Sequence, residues 1–326
     1  MKYVDCINQL LRQQATAHDH LVCFGQNVSA GSCIGGFTRG LAVRPTSRIV
    51  NSTNAENSLC GFGFGLMIRG ASAVFFMKQL DFLLLGIDQL VNTYNIIRNG
   101  PSEPRGSFTI MPIIVDNGYQ GVQSSSNNFA DFCSIARIAG YTVTNQRDAE
   151  TIIPAHMVSP GFRIIGISQR LFRDEAIAPQ TVIYRNADAT LFQYTDGVDA
   201  TIACFNFSFP QGWHLQQAMK EQGLAASLFN VNAMTPVDWS PIVESARLTQ
   251  NLVILDDSKS QNLSCFSLLA EVRGAVQLKR DFVVTRQLGG DWLTPVSDQL
   301  LVPNQEIVDA LHSRGSRTGI PHGSAI

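Results

Sequence analysis

The chain has 326 residues, of which 45% are hydrophobic and 15% charged, with a net charge of −2. That length can fill two domains with full cores, and the near-neutral balance leaves no electrostatic footprint for nucleic acid. The most apolar stretch, "ASAVFFMKQLDFLLLGI", is broken by Lys78, Gln79 and Asp81, which argues against a membrane span.

The opening stretch carries Val4, Ile7, Leu10 and Leu11 at helical spacing, so an amphipathic helix is expected over 4–18 rather than a secretory signal. "LVCFG" (21–25) reads as a short buried strand and "GSCIGGFTRG" (31–40) as a glycine-rich loop. A helix over 56–69 and a strand over 72–76 follow, and Asp81 opens a long helix, "DFLLLGIDQLVNTYNIIR". Next come a strand (107–116), a polar loop (119–128), the helix "NNFADFCSIARIAG", the strand "YTVTN", a helix interrupted by Pro154 and the strand "GFRIIGI". Short apolar strands alternating with helices predict a parallel sheet covered on both faces.

Residues 174–199 are polar and irregular, which marks a domain junction. Alternation then resumes: strand "ATIACFNF", helix "GWHLQQAMKEQG", strand "AASLFNVN", helix "SPIVESARLTQ", strand "NLVILDD", helix "LSCFSLLAEVRG" and strand "AVQLKRDFVVT". The expected architecture is α/β, with two doubly wound domains at 1–185 and 195–312 and a flexible tail at 313–326.

Seven cysteines, at 6, 23, 33, 60, 133, 204 and 265, show no CxxC spacing. They read as reduced, buried thiols of a cytoplasmic protein rather than disulfides or metal ligands. The six histidines are dispersed and form no HExxH pair, so no metal site is expected in this chain. His18 and His20 follow the first helix and read as satisfied or solvent-facing.

The stretch "NAENSLCGFGFGLMIRG" (54–70) raises a sharper question. One acid, Glu56, precedes an apolar helical run that accepts glycine at 61, 63 and 65. Each helical glycine costs about 1 kcal/mol relative to alanine. An acid at a helix start is ordinarily stabilised by the helix dipole, which does not explain the glycines. The run is no dinucleotide fingerprint: its G-x-G-x-G spacing is wrong and no strand leads directly into it.

The longer stretch "RIVNSTNAENSLCGFGFGLMIRGASAVFFMKQLDFLLLGIDQLVN" resembles the beta subunit of the thiamine-diphosphate-dependent component of 2-oxo acid dehydrogenases. Its pyrimidine-binding domain is shared with transketolases. "IGGFTRGL" (34–41) is similar to that family's upstream loop. The second half is similar to the transketolase C-terminal domain, including Asn230-x-Asn232 and the Thr-Pro-x-Asp that follows. The resemblance runs from residue 4 to 312 and specifies the superfamily, not a substrate. It implies a pyrimidine-binding domain followed by a transketolase C-terminal-like domain.

In that family a carboxylate at the position of Glu56 hydrogen-bonds the N1′ nitrogen of the cofactor's aminopyrimidine. The neighbouring amino group can then take the proton from the thiazolium carbon. The glycines behind Glu56 would let the helix approach a neighbour or a partner subunit. Phe82 matches an aromatic that stacks on the pyrimidine face. Asn54 stands where the family has an aliphatic residue against the ring, which either adds a hydrogen bond or alters the pocket. His214 matches a common histidine of the C-terminal domain, read as structural.

Two departures matter. The family's catalytic loop histidine, after the strand at 107–116, is replaced in "GVQSSSNNFADF" by Gln123, or by Ser124 if the register slips. A glutamine cannot exchange a proton near pH 7. Either the reaction needs no such histidine, or a partner supplies one, or the subunit is degenerate. The acids Asp256 and Asp257 are kept without the glycine-rich turn usual after them, which weakens the case for docking to a dehydrogenase core.

The wider family's Gly-Asp-Gly motif and downstream Asn, which hold Mg²⁺ and the diphosphate, are missing, and "GGDWL" (289–293) lies in the wrong domain. The resemblance therefore implies an enzyme active only with an alpha-type partner that holds the Mg²⁺, in an alpha2beta2 assembly. The expected reaction is cleavage beside a carbonyl of a 2-oxo acid or ketose and transfer of the acyl or ketol unit in a specialised pathway, with a lipoyl or carrier protein as one candidate acceptor. The alternatives are a conventional pyruvate-type dehydrogenase beta subunit and a catalytically silent scaffold.

Overall fold

The computed structural model describes residues 1–100, 105–116, 127–234, 237–260, 262–286 and 300–313. The chain divides into two compact units, Met1–Ala178 and Pro179–Ile326.

The first unit holds a six-stranded sheet of β1 (Leu21–Gly25), β2 (Arg48–Asn51), β3 (Ser72–Met77), β4 (Ser107–Ile114), β5 (Ala139–Val143) and β6 (Gly161–Ser168). The strand order is β2-β1-β3-β4-β6-β5 and every pairing is parallel. β4 is buried along its whole length, as a strand covered on both faces must be. The chain leaves β1 for β2 on one side and comes back to β3 on the other. The order therefore reverses between β1 and β3, and a crevice opens at such a reversal, outside the carboxyl ends of the strands. Gly25 closes β1 there with φ +143°, and a Cβ on it would lie 2.1 Å from the Phe76 carbonyl oxygen. Only glycine permits both.

Helix α1 (Tyr3–Ala17) buries Ile7, Leu10 and Leu11. Helix α2 (Glu56–Ile68) turns Glu56, Cys60, Gly63, Phe64 and Met67 inward. A Cβ on Gly63 would come within 2.3 Å of the Phe108 ring, so here glycine lets an aromatic of β4 lie against the helix backbone. Gly61 faces the Gln89 side chain at an ordinary 3.5 Å, and Gly65 meets nothing within 4 Å. Phe64 and Phe24 both contact Phe108, at centroid distances of 5.0 and 6.4 Å, which pins α2 to the sheet.

The long helix expected from Asp81 is not a single helix. The segment runs as a 3₁₀ turn (Leu80–Gly86), a π turn (Gln89–Thr93) and the short α3 (Tyr94–Arg98). It bends to follow α2. Gly86 sits so close that a Cβ would be 2.8 Å from the Cys60 sulfur. Gln89 donates to Asn57 Oδ1 at 2.8 Å and accepts from Thr93 at 2.7 Å. Beyond β4 come α4 (Phe129–Ala136) and α5 (Gln146–His156). Pro154 does not interrupt α5: it lies in the last turn, where its missing N–H forgoes one backbone hydrogen bond and the helix runs on only to His156. Asn145 and Asp148 form a capping box at the other end.

The second unit holds β7 (Tyr184–Arg185), β8 (Leu191–Thr195), β9 (Ala200–Phe205), β10 (Ala226–Val231), β11 (Asn251–Asp256) and β12 (Arg280–Thr285), ordered β12-β11-β9-β10-β8-β7. β9 to β12 are parallel, and β8 and β7 add antiparallel strands at one edge. The polar stretch read as a junction thus supplies two strands. Helices α6 (Phe209–Glu221), α7 (Ser240–Thr249), α8 (Cys265–Ala275) and α9 (Asn304–His312) complete it. Phe205, Phe229, Ile254 and Leu268 are among its core residues. Residues 314–326, read as a flexible tail, lie outside the described residues. Among the described residues no helix is long and apolar enough to cross a membrane.

Candidate functional site

The strand reversal of the first unit opens into a shallow, partly solvent-facing cleft. Three strand ends build it. Gln26 follows β1, Thr53 and Asn54 come from the loop after β2, and Met77 and Lys78 close β3. Helix α2 enters from one side with Glu56 at its first position, and the 3₁₀ turn brings Phe82. Phe75, Phe76 and Leu59 add apolar wall.

Glu56 is 8% exposed, yet among the described residues no group hydrogen-bonds or ion-pairs with its carboxylate. A buried charge without a partner is costly. The positive end of the α2 dipole offsets part of that cost, and a ligand donor in the cleft would offset more. One turn further on, burial pushes the Cys60 thiol up to about 12, with the Glu56 charge as a second cause. Cys60 therefore remains a neutral thiol at pH 7. Phe82 is half-buried and Asn54 exposed, and both line the cleft with Glu56.

The corresponding reversal of the second unit lies between β9 and β11, and the chain's own groups fill it. Asn206 donates to Asp256 Oδ1 at 2.6 Å, and the Phe207 N–H donates to Asp257 Oδ1 at 2.9 Å. Arg286 lies 3.7 Å from Asp257, both buried. Burial pushes the Asp256 carboxyl above its usual range.

The structure thus brings Glu56, Asn54 and Phe82 to one cleft. Gln123, its alternative Ser124, the Thr-Pro at 235–236 and "GGDWL" lie outside the described residues. His214 is exposed in the second turn of α6, and His18 pairs with Gln14. All seven cysteines are free; six are buried and Cys33 is half-buried. Among the described residues no group of three or more His, Cys, Asp or Glu could hold a metal ion. Sequence reasoning missed Gln26, Thr53 and Lys78 as cleft residues. Their common signal is position, just past the carboxyl ends of parallel strands.

No protein-family model matches the chain. It is 24% identical over 328 residues to the 2-oxoisovalerate dehydrogenase subunit beta 2, mitochondrial, of Arabidopsis thaliana, covering 96% of this chain and 88% of that one. It is 23% identical over 264 residues to the pyruvate dehydrogenase E1 component subunit beta of Leifsonia xyli subsp. xyli, covering 78% and 76%. Among solved structures, a split gene transketolase described as an inactive beta4 tetramer superposes with a TM-score of 0.68 at 16% identity, over 94% of this chain and 95% of that chain. The chain resembles dehydrogenase beta subunits along most of its length, and its fold is that of a split transketolase beta chain.

Proposed function

We propose that this chain is the beta-like subunit of a split thiamine-diphosphate enzyme, supplying the half-site for the cofactor's aminopyrimidine. The observation that carries the reading is Glu56: a buried carboxylate without a partner among the described residues, opening on a cleft beside a half-buried aromatic, Phe82.

The residues present fit the ring. A flat, apolar heteroaromatic suits Phe82 on its face, Glu56 would accept a hydrogen bond from a protonated ring nitrogen, and Asn54 and Thr53 offer further polar contacts at the rim. The fit stops there. The sequence holds no Gly-Asp-Gly motif with its downstream Asn, so the diphosphate and Mg²⁺ are assigned to an alpha-type partner, in an alpha2beta2 assembly. When bound, the cofactor supplies the carbon nucleophile that cleaves beside a carbonyl. This chain's part is to hold a proton between Glu56 and the ring nitrogen and to fix the ring with Phe82. The placement of Glu56 on a rigid helix, pinned through Phe64 and Phe108, keeps that contact in register.

The proposed reaction class is acyl or ketol transfer from a 2-oxo acid or ketose. The names of the relatives support the 2-oxo acid side, and that of the structural neighbour supports the ketose side. The sequence has no histidine between His20 and His156. With Gln123 in the loop position, a step that depends on a loop acid/base would be slow, which favours a specialised transferase over lipoamide reduction. Seven free cysteines accord with a reducing, cytoplasmic setting.

The test is Glu56→Gln in the reconstituted complex. The amide keeps the shape and cannot supply the charge. Assembly should persist while turnover falls by roughly 10²–10⁴-fold, the range of an acid/base group. Near-normal rates would remove Glu56 from the chemistry. A wild-type complex without turnover would favour the scaffold reading.

A further inference from the structure

The cleft holds a second unpaired charge. β3 is buried from Ala73 to Met77, and Lys78 is the first residue past its carboxyl end. Its side chain is exposed and lines the same cleft as Glu56. Among the described residues no acid pairs with it, and it makes no ion pair with Glu56 across the cleft. The rest of the polar rim, Gln26, Thr53 and Asn54, is neutral. A strand end at a sheet reversal is where α/β proteins recognise ligands. A free ammonium there, on a flexible four-carbon stem, is a point charge that can meet an incoming anion.

We propose that Lys78 is the anion-binding group of this cleft, taking a carboxylate or phosphate carried by a small molecule bound beside Glu56 and Phe82. The inference rests on the ring-binding reading and adds a requirement to it: the molecule gathered here bears a negative group within reach of β3. The carboxylate of a donor and a phosphate of the cofactor share this chemistry. Lys78 is a binding residue in this role, with no part in proton transfer.

The test uses the full chain and three probes: the aminopyrimidine alcohol that forms half of the cofactor, its phosphate monoester, and pyruvate added over the saturating alcohol. The chain has five lysines, so the Lys78 signal can be followed by carbon-13 NMR of methylated lysines and assigned with Lys78→Arg. The Lys78 resonance should move with the phosphate ester or with pyruvate and stay still with the alcohol alone. Whichever anion moves it identifies the source. Lys78→Met should lose at least about tenfold of the affinity for that anion, and Lys78→Arg should keep most of it. Equal anion affinity in wild type and Lys78→Met, or a Lys78 signal unmoved by both anions while the alcohol binds, overturns the proposal and leaves the ring-binding reading standing. Alcohol binding that is absent, or unchanged in Glu56→Gln, overturns the ring-binding reading and this inference with it.

Discussion

Two buried acids have opposite surroundings. Among the described residues nothing donates to Glu56, which faces an open cleft, whereas Asp256 is enclosed, accepting from Asn206 Nδ2 and from the Ser258 N–H at 3.0 Å. Its titratable neighbours are Asp257 and Cys265. Burial raises the Asp256 carboxyl above its ordinary value of 3.8. As pH rises past that value, the unfolded chain gives up this proton before the folded one does. The stabilisation is full below pH 3.8 and is lost as pH climbs through the raised folded value. Asp256→Asn keeps the volume and removes the titration. Its melting temperature should gain on wild type as pH rises above 4, and parallel melting curves for the two proteins would refute the burial argument. Neither role was legible from residue type. Glu56 and Phe82 were singled out through a resemblance, and Asn54 through a departure from it. Lys78 and Gln26 were missed because only the parallel pairing of β1 with β3 brings positions so far apart in sequence to one cleft.

At the scale of the element, α2 answers why a buried helix carries three glycines. One of them, Gly63, is demanded by contact with Phe108, and Gly65 by nothing among the described residues. Alanine should therefore act in opposite directions at the two sites. Gly63→Ala forces a Cβ into a rigid ring, an overpacking cost of about 1–3 kcal/mol, against a helix-propensity gain of about 1 kcal/mol. Gly65→Ala keeps that gain with no clash. Urea midpoints of the isolated chain should fall for the first and rise for the second, and a fall for both would mean that Gly65 has a contact of its own. The run of apolar residues found α2 and the buried strands, since burial is what such a run reports. It could not see that the segment after Asp81 changes from 3₁₀ to π to α, because hydrogen-bond type leaves no trace in apolar spacing. β2 escaped notice for a related reason: it is a sheet edge with only Ile49 partly buried.

Across the whole molecule, two sheets share one design and use it differently. Each reverses its strand order between its second and third strands, counted across the sheet, one leaving an open cleft and the other closing it with Asn206, Asp256, Asp257 and Arg286. Alternation of strands and helices made both α/β units legible, while the short exposed edge strand β7 and its antiparallel neighbour β8 hid in a stretch that is polar overall, although β8 buries Leu191, Phe192 and Tyr194. The central claim is that this chain holds half of a cofactor site. The measurement that tests it most directly is a calorimetric titration of the purified chain, without any partner, with thiamine diphosphate and Mg²⁺. The account predicts no tight, Mg²⁺-dependent binding, because the ring would find Glu56 and Phe82 but the diphosphate would find at most the Lys78 ammonium and no Mg²⁺ ligand set. Micromolar, Mg²⁺-dependent binding by this chain alone would contradict it.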